Sequence, residues 1–399
     1  MIIEFTVGNF LSFKEKRTIS FEARGGVSEL KDNFFTFEKQ KLLRSVVLYG
    51  ANSSGKSNLI KALEKMRECV YWSVRLNDTD KLSFSPFLLS SEVKNEPTFF
   101  EVIFIADSQI FRYGFEYNLC EIVNEWLFSV KNSGKEDALF VRTQEGIAVA
   151  DKFVEGKSKE ESTNKNRLFI SLVAQLGGKI SNQILQWFYN CNVLSGIKHN
   201  DYEDYSLTMF DKNLNGSSDA LQFFQDLQLG FNNLEVTKSE EKDFSLNTIH
   251  SKYGKNGEII GQISWNKDEN ESEGTKKLID FSGPIFNTLK NGKILIIDEL
   301  DSKLHPLITM QIIKLFNSPE TNPNNAQLLF ATHDTNLLST DIFRRDQVWF
   351  TEKDNIEQTD LYSLDDFVFA DGTKVRKDAN LEKNYIAGRY GAIPYIINL

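Results

Sequence analysis

The sequence predicts an α/β fold: a mixed sheet carrying a phosphate-binding loop, with an α+β region inserted into its middle. Three observations predict it. The apolar, β-branched run Ser45-Val46-Val47-Leu48-Tyr49 breaks at Gly50 and gives way to helical spacing from Ser57, the pattern of a buried strand turning into a helix. Two further apolar runs, Lys293–Ile297 and Gln327–Ala331, flank a helical stretch from about Pro306 to Phe316. About 240 residues separate Gly55 from Asp298, far more than one crossover connection needs.

Taken in order, Ile2, Glu4, Thr6 and Gly8 alternate as a strand would. From Ser57 to about Arg75, Leu59, Ala62, Leu63, Met66 and Val70 fall on one helical face. Residues 80–150 read as an antiparallel meander, with Phe99–Ile105, Ile110–Tyr117 and Trp126–Val130 rich in aromatic and β-branched side chains. Asp151–Arg167 is polar and reads as an exposed loop. Leu168–Tyr189 and Ser218–Leu229 have helical spacing, and Asn232–Asn270 returns to short strands. A helix is expected from Gly274 to about Lys290. There is no internal repeat and no heptad run long enough for a coiled-coil arm.

The 399 residues are 41% hydrophobic and 12% aromatic, with 32 Phe, and such a chain buries a core. A formal charge of −10 excludes a uniformly basic surface, so DNA contact would need a local patch of Lys and Arg. Cys69, Cys120 and Cys191 form no C-x-x-C pair. That argues against a disulfide framework or zinc site and for a reducing cytosol. No signal-peptide pattern opens the chain, and no apolar run is long enough for a membrane helix.

Gly50-Ala51-Asn52-Ser53-Ser54-Gly55-Lys56-Ser57 matches G-x-x-x-x-G-K-[ST] in full. Its glycines allow the tight loop whose N–H groups surround phosphate, and the following helix points its positive end at the same anion. The expected ATP-binding residues are Gly50, Asn52, Ser53, Ser54, Gly55, Lys56, Ser57 and Asn58. Lys56 reaches the outer phosphates, and the Ser57 hydroxyl ligates Mg²⁺. Ile294-Leu295-Ile296-Ile297-Asp298-Glu299 is the expected second half: Asp298 in the metal shell, Glu299 polarising the attacking water. Without the upstream loop these would be two solvated carboxylates at a strand end. Asp301 follows in Leu300-Asp301-Ser302, and His333 closes Phe330-Ala331-Thr332-His333, where it can touch a γ-phosphate. His305 reads as a helix-start residue.

This ordered set resembles the ATP-binding-cassette ATPases, and within them the branch holding SMC, recombination-mediator and OLD-type proteins. Asn9-Phe10-Leu11-Ser12-Phe13 is similar to the N-F-x-S-F start of that branch. The resemblance implies an ABC-type head whose ATP is completed by a signature loop from a second head. The best match to that loop is Glu271-Ser272-Glu273-Gly274-Thr275, a degenerate version keeping Ser272 and Gly274; read by itself, Ser272 is a helix N-cap. No Q-loop glutamine stands out, with Phe84-Ser85-Pro86-Phe87 near the expected place and Gln109 later. Val375-Arg376-Lys377-Asp378 and Gly388-Arg389-Tyr390-Gly391-Ala392-Ile393-Pro394 resemble the tail of an AAA_15/AAA_21-type bacterial group. That group includes abortive-infection, RloA-like and PARIS-type anti-phage ATPases.

The expected organisation is 1–75 for the first half of the head, 76–150 for its antiparallel region and 151–265 for the insertion. The second half of the head then occupies 266–350, and 351–399 is a tail for partner contact. The resemblance implies an ATP- and Mg²⁺-dependent switch, a self-paired head-to-tail dimer or higher oligomer, and a cytoplasmic sensor or scaffold role in defence. About 65 residues follow His333, too few for a TOPRIM nuclease, so the effector is expected on a separate chain. The competing expectation is a DNA-maintenance ATPase of the same branch.

Overall fold

Strands buried on both faces must be largely apolar, and Ser45–Tyr49, Ile294–Asp298 and Gln327–Ala331 of the central sheet are. The computed structural model describes residues 1–131, 133–238 and 244–394. β1 (Ile2–Gly8) and β2 (Arg17–Ser20) open the chain, β3 (Phe34–Phe37) and β4 (Gln40–Leu43) form a small hairpin, and β5 (Ser45–Tyr49) runs into α1 (Lys56–Trp72). β6 (Thr98–Ala106), β7 (Gln109–Tyr117), β8 (Ile122–Val130), β9 (Glu136–Thr143) and β10 (Gly146–Val149) make the expected meander. With β1 and β2 they form an antiparallel sheet of order β10-β9-β8-β7-β6-β1-β2.

The helical stretch after residue 168 is two helices, α2 (Phe169–Gln175) and α3 (Lys179–Tyr189), divided where Gly177 takes a φ of 89° that a continuing helix cannot use. Next come β11 (Cys191–Ser195), α4 (Glu203–Asp211), α5 (Ser217–Asp226), β12 (Asn233–Lys238), β13 (Phe244–Tyr253) and β14 (Ile259–Asn266). Within the stretch read as an insertion, β11 pairs in parallel with the later strand that ends in Asp298 and so belongs to the central sheet. β12, β13 and β14 form their own antiparallel sheet, and β14 is exposed on both faces.

α6 (Lys267–Asn270) and α7 (Glu273–Asn291) lead into β15 (Ile294–Asp298), followed by α8 (Pro306–Asn317), β16 (Gln327–Ala331), β17 (Val348–Lys353), β18 (Thr359–Ser363) and α9 (Leu381–Ile386). The central sheet has the order β11-β15-β16-β5-β17-β18, parallel except for β18. Side chains alternate across it. Val46, Leu48, Ile296, Leu329 and Trp349 join α1 and the antiparallel sheet in one core. Val47, Tyr49, Ile297, Phe330 and Phe350 join α7, α8 and the C-terminal segment in the other. Each such fully buried side chain contributes roughly 1.5–3 kcal/mol relative to exposure.

α7 contains Pro284, whose missing N–H leaves the carbonyl of Asp280 without its helical donor. The Ser206 hydroxyl of α4 donates to that carbonyl at 2.6 Å and accepts from Gly283 N–H at 2.9 Å, so the gap becomes a joint between two helices. The C-terminal segment is mostly exposed but anchored in its own chain: Val375, Leu381, Tyr385, Tyr390 and Ala392 all lie in the second core. Among the described residues, no helix is long and apolar enough to cross a membrane.

Candidate nucleotide site

The parallel strands β15, β16, β5 and β17 end on the same rim, where α/β sheets place their ligands. A cavity of about 460 Å³ lies there, lined by Asn52–Asn58, Asp298, Glu299, His333 and Lys353. The loop is bent tightly enough to need its glycines. Gly55 has φ 118°, and a Cβ there would run into the Thr359 side chain; a Cβ on Gly50 would meet Thr351 and Ser54. β17 and β18 thus back the loop. The Ser54 and Thr351 hydroxyls share a hydrogen bond of 2.6 Å, and the Thr359 hydroxyl sits 2.9 Å from the Ser54 carbonyl and 2.7 Å from the Ser12 oxygen.

Ser12 also accepts from the Asn58 amide at 2.7 Å, so Asn58 lines the cavity with its amide already engaged. Asn9 takes a left-handed φ of 45°. Its amide donates to Val93 and Glu96 carbonyls at 2.8 and 2.6 Å, while its oxygen accepts from Phe87 N–H at 3.0 Å. The Asn-Phe-x-Ser-Phe stretch is therefore a hook that fastens the antiparallel sheet to the phosphate loop.

Lys56 is buried, and its ammonium donates to the carbonyls of Gly50 at 2.8 Å and Ala51 at 3.1 Å. Burial pushes its pKa down to about 8, opposed by the nearby Asp298, Glu299 and Asp301 carboxylates. A desolvated cation held only by carbonyls is set to take an anion. His333 is also lowered, first by burial and then by Lys56, which keeps its imidazole neutral near pH 7.

Asp298 Oδ1 is buried with no hydrogen-bond partner, as is Asp301 Oδ1. A buried bare carboxylate oxygen in a cavity that Ser57 also lines fits a hard divalent cation, which takes one or two protein oxygens and phosphate for the rest. Among the described residues, no cluster of three or more His, Cys, Asp or Glu could hold a metal by itself. The phosphates would have to supply the remaining ligands.

Glu299 adopts φ 56°, a strained conformation of the kind that collects at functional sites. Its carbonyl lies where a Cβ of Gly196 would be, and Gly196 N–H donates to the Asp298 carbonyl at 2.7 Å. Glycine at 196 is thus what lets the end of β11 approach the carboxylate pair. Lys277, on α7, is fully buried. It donates to the carbonyls of Leu300 at 2.9 Å and Ser302 at 2.7 Å, clamping the turn that carries Asp301. Burial lowers this ammonium also to about 8.

Ser272 caps α7, accepting from Thr275 N–H at 3.2 Å, and a Cβ on Gly274 would lie 2.8 Å from the Lys303 carbonyl. Neither residue lines the cavity of its own chain. His305 caps α8, its Nδ1 accepting from Leu307 N–H at 3.2 Å. Gln109 starts β7, is exposed, and is not among the residues lining the cavity. Sequence reasoning missed Lys353, Thr351, Thr359, Gly196 and Lys277. The strand order, which sets β17 beside β5 and β11 beside β15, marks the first four, and Lys277 is marked by the packing of α7 against the turn after β15.

No curated protein matches the chain. Among solved structures, an SmcHead bound to the C-winged helix domain of ScpA is 13% identical with a TM-score of 0.50, covering 91% of this chain and 97% of that one. The SMC head domain from Thermotoga maritima (12%, TM-score 0.46) covers 91% and 98%. The Pyrococcus furiosus Smc head with an extended coiled coil, bound to the C-terminal domain of ScpA (12%, TM-score 0.41), covers 91% and 96%. The SmcHead likeness establishes an SMC-head-like ABC ATPase fold. The family described as "AAA domain, putative AbiEii toxin, Type IV TA system" matches residues 45–339, and the chain belongs to that family, AAA_21.

Proposed function

We propose that this protein is an ATP-hydrolysing switch in which two heads close around ATP and Mg²⁺ and thereby control a separate effector in an anti-phage system. One observation carries the ATPase part: Lys56, the bare Asp298 oxygen, Glu299 and His333 converge on one cavity at the rim of the sheet. In this reading the loop N–H groups and Lys56 hold the phosphates. Asp298 and Ser57 would hold the metal ion, which supplies charge neutralisation. Glu299 orients the attacking water, and His333 contacts the γ-phosphate as a neutral donor. Phosphoryl transfer depends on such positioning and charge stabilisation.

Pairing of heads is supported by Ser272 and Gly274, which do not line the cavity of their own chain and stand at the start of α7, where the resemblance places the signature loop that completes a second head's site. The defence role is supported by the family's description as a putative toxin of a toxin–antitoxin system and by the resemblance of the tail. A partner chain is supported by the similar SmcHead, which is bound to the C-winged helix domain of ScpA. The same likeness favours a second reading, a DNA-maintenance ATPase.

The test is a pull-down of wild type, Lys56→Ala and Glu299→Gln from native cells, with ATPase assays with and without DNA. A nuclease-like partner whose retention depends on nucleotide is the expected result. Hydrolysis stimulated by DNA with no protein partner would overturn the defence reading in favour of the second.

A further inference from the structure

We propose, resting on the reading that two heads close around ATP, that Glu271 is a positioning residue of the paired site. Anchored on the inserted sheet of β12, β13 and β14, it sets the segment Ser272–Gly274 that completes a second head's ATP. Glu271 and Ser272 form the link between α6 and α7. Both are extended, with φ −89°, ψ 155° and φ −67°, ψ 153°, and Ser272 is exposed. An extended link has no helical ladder to direct it, so the side chains that hold it decide where Ser272 stands.

Glu271 is held by β13. Its Oε1 accepts from the Thr248 hydroxyl at 2.7 Å and lies 2.9 Å from His250 Nε2, which is 3.0 Å from the Thr248 oxygen. Facing a carboxylate, Nε2 is the nitrogen that carries the proton. Thr248 and His250 stand two places apart on one strand and so share a face of the sheet. The Glu271 side chain is 8% exposed, and Thr248 is fully buried. The imidazole is fixed in turn, its ring centroid 4.1 Å from that of Trp265 on β14 and edge-on to Phe231 at 6.2 Å. A carboxylate oxygen with two donors in a largely dry place is a firm attachment.

A second attachment steadies the link from its other end. Lys267 of α6 is buried, and its ammonium lies 2.7 Å from Asp280 of α7 and 3.0 Å from Glu203 of α4. With α6 pinned there and Glu271 pinned to β13, Ser272 stays exposed yet stands in a fixed place. Glu271, Thr248 and His250 do not line the nucleotide cavity of their own chain. The anchor therefore acts on the partner head's ATP, where a misplacement of about 1 Å can cost about 100-fold in rate.

Mixing variants tests this, because a residue that serves the partner's site can be rescued by the partner. Glu271→Ala removes the anchor; Thr248→Val keeps the buried shape, removes one donor and carries the test if melting curves show Glu271→Ala unfolded. Glu271→Ala should hydrolyse ATP about tenfold or more slowly at an unchanged ATP dissociation constant, with Thr248→Val between it and wild type. Glu299→Gln is inactive by itself but keeps an intact Ser272 segment. Mixed in equal amounts with either anchor variant, it should raise hydrolysis several-fold above the sum of the two alone. Wild-type rates in the anchor variants, or a loss that mixing does not rescue, overturn the inference while leaving the ATPase reading intact. Wild type that binds ATP but neither pairs nor hydrolyses it overturns both.

Discussion

The nucleotide cavity has two walls of different construction. One is the octapeptide Gly50–Ser57; the other gathers Asp298, Glu299, His333 and Lys353 from segments that begin more than 240 residues later. In the first wall the chain's own local geometry fixes the residue types, because Gly55 at φ 118° and Lys56 at the start of α1 work only at that spacing. In the second, the strand order sets the geometry, and a residue qualifies by standing at the end of the right strand. A local wall tolerates little substitution, whereas an assembled wall spreads its function over partners that can be removed one at a time.

The largest effect should come from the local wall. Lys56→Ala is expected to weaken ATP binding by about 100-fold, the upper range for hydrogen bonds to a charged group, as measured by calorimetry. The same lysine sets a pH dependence. Its pKa in the free protein is about 8, and bound triphosphate favours the charged form, so the bound value is higher. Affinity is therefore full below about pH 8 and falls up to roughly tenfold per pH unit above it. Lys56→Arg, which stays charged, should flatten that fall.

Smaller effects should come from the assembled parts. Ser272→Ala removes an N-cap, costing about 1 kcal/mol of stability; if the residue also completes a second head, hydrolysis falls by more than about tenfold at an unchanged ATP dissociation constant. A loss of stability alone would reduce Ser272 to its cap. Thr359→Val removes the hydroxyl between Ser12 and Ser54 and should cost about 1–3 kcal/mol of stability, with only a few-fold change in ATP affinity.

The same contrast explains what was legible in the sequence. β5, β15 and β16 read as apolar runs because both their faces are buried, and the octapeptide stands out because its spacing is chemical necessity. β11 was illegible: Cys191-Asn192-Val193-Leu194-Ser195 is short and half polar, and it enters the central sheet through its pairing with β15. Tyr385 and Tyr390 fall in the tail expected to contact a partner, yet both pack on Phe350, a contact that exists only because β17 lies beside β5. Lys353, Thr351 and Thr359 are ordinary residues in ordinary strands until that neighbour relation is known.

The central claim is that two of these heads close around ATP. The most direct test is the solution mass of Glu299→Gln, by light scattering, in Mg²⁺ with saturating ATP and then with ADP. The expected result is a mass that doubles with ATP and returns to that of one chain with ADP, and a Ser272→Ala, Glu299→Gln double variant that stays single. A one-chain mass with the site demonstrably filled by ATP would contradict the account.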